Sequence, residues 1–181
     1  MSKPEALHTH AADNLQFIRD AMSRAGRFTA VPGVGGVVMG ATAIVTATLA
    51  ARQPTRTAWL AWWLGDAATA IVIAVVAMQR KAARLDEPLT AAPARRFALA
   101  YVPPLAAGAV LTAVFLDHGL SARLPGVWLL LYGVAIATAG TLSVRAVQLM
   151  GIAFMTLGGA AFLAPAGLGD AFMAAGFGGL H

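Results

Sequence analysis

The chain has 181 residues, 59% of them hydrophobic and only 12% charged, with a mean hydropathy of +0.71 and a net charge of +5. Ordinary soluble domains carry about 25% charged residues, so the composition excludes a water-soluble globule. Cysteine is absent, which removes disulfides, thiolate zinc sites, iron–sulfur ligation and cysteine nucleophiles. The basic residues flank apolar segments and do not form an aromatic-interleaved patch, so they read as membrane anchors, not as a nucleic-acid surface.

The first 28 residues are polar and of mixed charge, with no cleavable apolar core. Within them, Leu15, Ile18, Met22 and Ala25 share one arc of a helical wheel, with Phe17, Ala21 and Phe28 beside them, while Gln16, Arg19, Asp20, Ser23, Arg24 and Arg27 fill the other. This predicts an amphipathic helix lying at the membrane interface, an anchor for the first span and a docking surface in a second reading. His8 and His10, on a terminal segment, read as solvated and not as metal ligands.

From residue 29 to 181 the chain reads as one transmembrane helical domain. Apolar stretches cover 28–51, 57–79, 97–116, 124–144 and 146–169, and among them only the second contains a charge. Each is long enough for the roughly 20 residues that a helix needs to cross the hydrocarbon core, and none alternates as a barrel strand does. A sixth stretch, 171–181, is half a span, which leads us to expect that the natural chain continues beyond His181. The predicted class is therefore an all-α, polytopic transmembrane bundle of five full spans and a sixth partial span, preceded by the interfacial helix. Ten of the thirteen Lys and Arg fall on one side if the N-terminus is cytoplasmic, as expected for a bacterial inner-membrane protein. The segment 80–96 then forms the long cytoplasmic loop, with Pro88 and Pro93 stopping helix propagation, and Pro103 and Pro104 predict a kink or local unwinding in the third span.

Pro32-Gly33-Val34 followed by Gly40 recurs as Pro125-Gly126-Val127 followed by Gly133. Three intervening spans would make this an inverted repeat. Gly36 and Gly40 form a small-xxx-small pair, expected to let another helix come close.

Asn14-Leu15-Gln16-Phe17-Ile18-Arg19 running into Phe28-Thr29-Ala30-Val31-Pro32-Gly33-Val34-Gly35-Gly36 resembles an uncharacterised family of small bacterial polytopic inner-membrane proteins of about six helices. Leu124-Pro125-Gly126-Val127-Trp128-Leu129-Leu130-Leu131-Tyr132-Gly133 and Ala175-Gly176-Phe177-Gly178-Gly179-Leu180-His181 are similar to the same family. The resemblance implies a further apolar continuation and a basic tail. It implies no activity.

Asp66 is the acidic residue well inside a span, with Trp59, Trp62, Trp63, Gly65 and Thr69 around it and Thr69 one turn on along the same face. A carboxylate at that depth is costly, which makes it a candidate for an assembly ion pair, with Arg145 as partner, or for an ion pathway. The other intramembrane hydroxyls, Thr42, Thr46, Thr48, Thr112, Thr138 and Thr156, are expected to bond their own helix carbonyls. His181 is a histidine at membrane depth behind the small residues Gly178 and Gly179, an arrangement that could seat a tetrapyrrole through one axial imidazole. No second intramembrane histidine accompanies it, and the reading expects no cofactor and no metal. Ser2, Ser23, Ser121 and Ser143 have no base and orienting acid nearby, and Gly33 to Gly40 lacks the Lys-Ser/Thr ending of a phosphate loop. The expected function is therefore non-enzymatic. An accessory or scaffolding subunit of a membrane complex leads, with lipid and other subunits or a second copy as its partners, and a small transporter or channel with Asp66 in its pathway is the alternative.

Overall fold

The computed structural model describes Phe28 and residues 33–85 and 89–181. The predicted interfacial helix of residues 14–28 lies, apart from Phe28, outside the described residues. Those described form helices and connections with no strand. They are α1 (Gly33–Ala50), α2 (Arg56–Leu85), α3 (Ala92–Asp117), α4 (Leu124–Gly140), α5 (Arg145–Leu163) and a short α6 (Gly169–Met173) that widens into a π-helical turn, Ala174–Gly178. The first five are long and apolar enough to cross a membrane.

Two expectations are corrected. The 30-residue α2 continues through Arg80, Lys81 and Arg84, so most of the expected 80–96 loop is helix. Ala, Arg, Lys and Leu are strong helix formers, and at about 1.5 Å per residue α2 reaches about 45 Å, beyond a hydrocarbon core of about 30 Å. Pro93, expected to stop a helix, instead sits in the first turn of α3, where a missing N–H costs nothing. The second correction concerns the local unwinding expected at Pro103 and Pro104, through which α3 stays helical. Pro104 cannot donate to the Ala100 carbonyl four residues back. The Thr138 hydroxyl on α4 lies 3.2 Å from that carbonyl, while its single hydrogen is better placed for the Val134 carbonyl of its own helix at 2.7 Å.

The tightest packing joins α4 and α5. A Cβ added at Gly133 would lie 2.6 Å from the Met155 nitrogen, one at Gly140 2.6 Å from the Gln148 nitrogen, and one at Gly158 2.6 Å from the Leu130 nitrogen, while one at Gly151 would collide with the Ala137 backbone. These pairs define an antiparallel hairpin whose backbones touch along glycines spaced seven residues apart, the small-residue route to helix association in lipid. Arg123 donates from Nη1 to the Phe162 carbonyl at 2.7 Å, closing the far end of the hairpin. Leu124, Leu129, Phe154 and Met173 are fully buried here.

The copies of the suspected repeat have different surroundings. A Cβ at Gly33 would meet nothing within 4 Å, whereas one at Gly126 would press on the Phe162 ring at 2.9 Å.

At one end of the bundle, the Phe28 N–H donates to the Leu142 carbonyl at 2.8 Å, and the Ser143 hydroxyl donates to the Phe28 carbonyl at 2.7 Å. Phe28 is buried with Ala82, and its ring meets that of Phe97 at 4.9 Å in a tilted arrangement. The chain is thus pinned to the α4–α5 turn just before the first span. Between α3 and α4 the chain reverses through Gly119 at φ +70°. There Leu120 N–H reaches the Phe115 carbonyl at 2.7 Å and Gly119 N–H the Leu116 carbonyl at 3.1 Å, the paired bonds of a Schellman cap.

Candidate functional site

Burial is uneven. Half of the apolar window of α4 and 39% of that of α1 are buried, against 6% for α2 and for α3. Three polar features interrupt the apolar surroundings.

The first is an open groove of about 760 Å³ between α1 and α2, lined by Val38, Ala41, Thr42, Val45 and Thr46 from α1 and by Ala58, Ala61, Trp62, Gly65, Asp66 and Thr69 from α2. Asp66 is half-buried. No hydrogen bond or ion pair engages it among the described residues, so the expected pair with Arg145 is not formed; Arg145 is exposed at the first residue of α5. Asp66 and Thr69 stand on the same wall of the groove. The Thr69 hydroxyl donates to its own helix at the Gly65 carbonyl, 2.9 Å away, and Thr42 does the same to Met39 at 2.8 Å. Thr48, Thr112, Thr138 and Thr156 follow the same pattern.

The second feature is the aromatic node at the bundle centre. Rings of Tyr132, Phe154, Phe177 and His181 meet at centroid separations of 4.8 to 6.3 Å. His181 Nδ1 lies 3.0 Å from the Phe177 carbonyl, which can only accept, so Nδ1 carries a proton. In the neutral ring Nε2 is then an acceptor for the Tyr132 hydroxyl at 2.6 Å. Both ring nitrogens are engaged, and a tetrapyrrole iron at Nε2 would have to displace Tyr132. Gly36 and Gly40 serve this node. A Cβ at Gly36 would lie 2.8 Å from the His181 carbonyl oxygen and one at Gly40 2.8 Å from that of Gly178. The backbone that comes close to Gly36 and Gly40 is that of the C-terminal turn, not of a full span. Asp66 lies near enough to His181 to interact with it electrostatically.

The third feature escaped sequence reasoning. Asp170, in the first turn of α6, accepts on one oxygen from the indole nitrogens of Trp59 at 2.7 Å and Trp63 at 3.0 Å. Both indoles are almost fully buried, and Trp59 stacks on Trp128 at 5.6 Å. Trp128 in turn donates to Thr112 at 2.7 Å. The tryptophans around Asp66 therefore divide: Trp59 and Trp63, about 40° apart in helical projection, turn to Asp170, and Trp62 lines the groove with Asp66. The available signal was the spacing of Trp59 and Trp63, since buried indole N–H groups need an acceptor.

No cluster of three metal-ligating side chains occurs among the described residues. Comparison of the chain with protein-family models, with curated proteins and with solved structures gives no match.

Proposed function

We propose that this chain is an accessory or scaffolding subunit of a larger membrane complex, without catalytic activity of its own, and that it resides in a bacterial inner membrane with its N-terminus cytoplasmic. The observation that supports this reading is the contrast in burial between α4 and α2, whose exposed face carries the groove with Asp66. A bundle centre filled by Tyr132, Phe154, Phe177 and His181 leaves little room for an internal pathway. The groove with Asp66 opens outward, where a neighbouring subunit can reach it. Purification from host membranes in mild detergent tests the reading: a stoichiometric large complex is expected, and a homogeneous small oligomer would contradict it. Orientation has its own test, because the chain has no cysteine. Single cysteines at Ser2 and Thr90 should resist a membrane-impermeant thiol reagent in intact cells; labelling at either reverses the topology.

A small transporter or channel is the second reading, favoured by the open groove in which Asp66 stands with the hydroxyl-bearing Thr42, Thr46 and Thr69. It requires that Asp66→Asn abolish flux in reconstituted vesicles while the protein stays assembled.

A further inference from the structure

The groove between α1 and α2 is elongated along the helices. Its lining runs from Val38 to Thr46 on one wall and from Ala58 to Thr69 on the other, about 12 and 16 Å at 1.5 Å per residue. That is two to three helical turns. Ala41, Ala58, Ala61 and Gly65 keep the side chains along it short, and small residues are what allow a further helix backbone to come close in lipid.

The groove is unbalanced in charge. Asp66 as a carboxylate only accepts, Thr42 and Thr69 donate their hydroxyl hydrogens to their own helices, the Trp62 indole N–H and the Thr46 hydroxyl are neutral donors, and no Lys or Arg lines the walls. The nearby His181 offers no relief, because Nδ1 donates to Phe177 and Nε2 accepts from Tyr132. Asp66 stands about 15 Å along α2 from Arg56, roughly the middle of a hydrocarbon core. Lipid tails supply no donor there, and intramembrane carboxylates are characteristically paired with cationic groups. What completes the groove must be apolar along its length and must bring a donor, best a positive charge, to mid-depth.

We propose that the α1–α2 groove seats a transmembrane helix of a partner subunit carrying one basic side chain at mid-membrane, whose cation meets Asp66. The proposal rests on the accessory-subunit reading and names the chemistry of its partner. Trp62, which lines the groove and lies one turn from Asp66, offers a ring face to the same cation.

The test uses the full chain in phosphatidylcholine vesicles, with a donor fluorophore on a single cysteine at Gln53. Two synthetic Leu/Ala transmembrane peptides carry an acceptor fluorophore, one with a central Lys and one with Leu in its place. The Lys peptide should associate at least about tenfold more tightly, and Asp66→Asn should bring it down to the Leu peptide. Gly65→Leu gives an independent check, because a Cβ at Gly65 meets nothing within 4 Å of its own chain. This variant should fold normally and bind neither peptide. Equal association of the two peptides, an Asp66→Asn protein that keeps the preference, or energy transfer between copies of the chain that the Lys peptide fails to displace would overturn the proposal. The parent reading fails separately: a small homogeneous oligomer from host membranes defeats the accessory subunit, whereas a large complex that survives Asp66→Asn and Gly65→Leu defeats only the groove.

Discussion

The α4–α5 hairpin and the α1–α2 pair are both antiparallel and both contain glycine, yet they are built oppositely. In the hairpin every glycine at the seam is occupied: Gly133, Gly140, Gly151 and Gly158 each stand where a Cβ would strike the facing helix backbone. On the groove side, Gly65 faces open space beside a carboxylate with no hydrogen-bond partner among the described residues. A glycine with a backbone against it is a packing device. A glycine beside an unengaged charge in an apolar groove leaves room for something else.

The largest effect should come from closing the seam. Gly151→Ala places a methyl into the Ala137 backbone, and overpacking, which costs about 1–3 kcal/mol where side chains can give way, costs more where the obstacle is backbone. It should lower the unfolding midpoint in detergent sharply, while Gly65→Ala should leave it unchanged or slightly raised. Equal behaviour of the two would erase the distinction between the regions.

Next comes Asp170, whose loss strands two buried indole donors. An unsatisfied buried donor costs about 1–3 kcal/mol, so Asp170→Leu should destabilise the protein and alter its tryptophan emission. Asp170→Asn, which keeps one acceptor oxygen, should do much less. If Asp170→Leu proves silent, the α2–α6 contact is not a determinant of the fold.

Smaller again is the aromatic node. Tyr132→Phe removes the donor to His181 Nε2, an effect of about 1 kcal/mol, and the C-terminal turn should become more accessible to protease. Unchanged protection would show that Gly36 and Gly40 alone hold it. The least effect is expected at Thr138→Val, which removes the hydroxyl that bonds the Val134 carbonyl and lies 3.2 Å from that of Ala100. A loss of about 1 kcal/mol or less is anticipated, read as a modest drop in the thermal midpoint.

The spans were legible because length and apolarity are written residue by residue, and all five candidates recur as helices. The extension of α2 was not, because Arg80, Lys81 and Arg84 signal the end of a membrane segment without signalling the end of a helix. Gly36 and Gly40 were legible as a close contact, but the pair could not name its partner, since a motif on one helix says nothing about which backbone arrives. The seven-residue spacing of Gly126, Gly133 and Gly140 is visible in the sequence, but only Gly126 and Gly133 enter the repeat reading, and Gly140 enters none. Asp66 was found by its cost in lipid. Its expected partner Arg145 failed because side chains 79 positions apart are brought together by topology alone. Asp170 was missed for the same reason, as the acceptor lies 107 and 111 residues from its two donors.

The claim that the open side of the molecule faces a partner protein is tested most directly by photo-crosslinking in host membranes. A photoreactive residue at Ala61, in the groove, is compared with one at Val110, 63% exposed on α3. The account requires a discrete protein adduct from Ala61 that disappears in the Asp66→Lys background, and only lipid adducts from Val110. Lipid adducts alone from both positions, or a protein adduct from Ala61 that persists in Asp66→Lys, would contradict it.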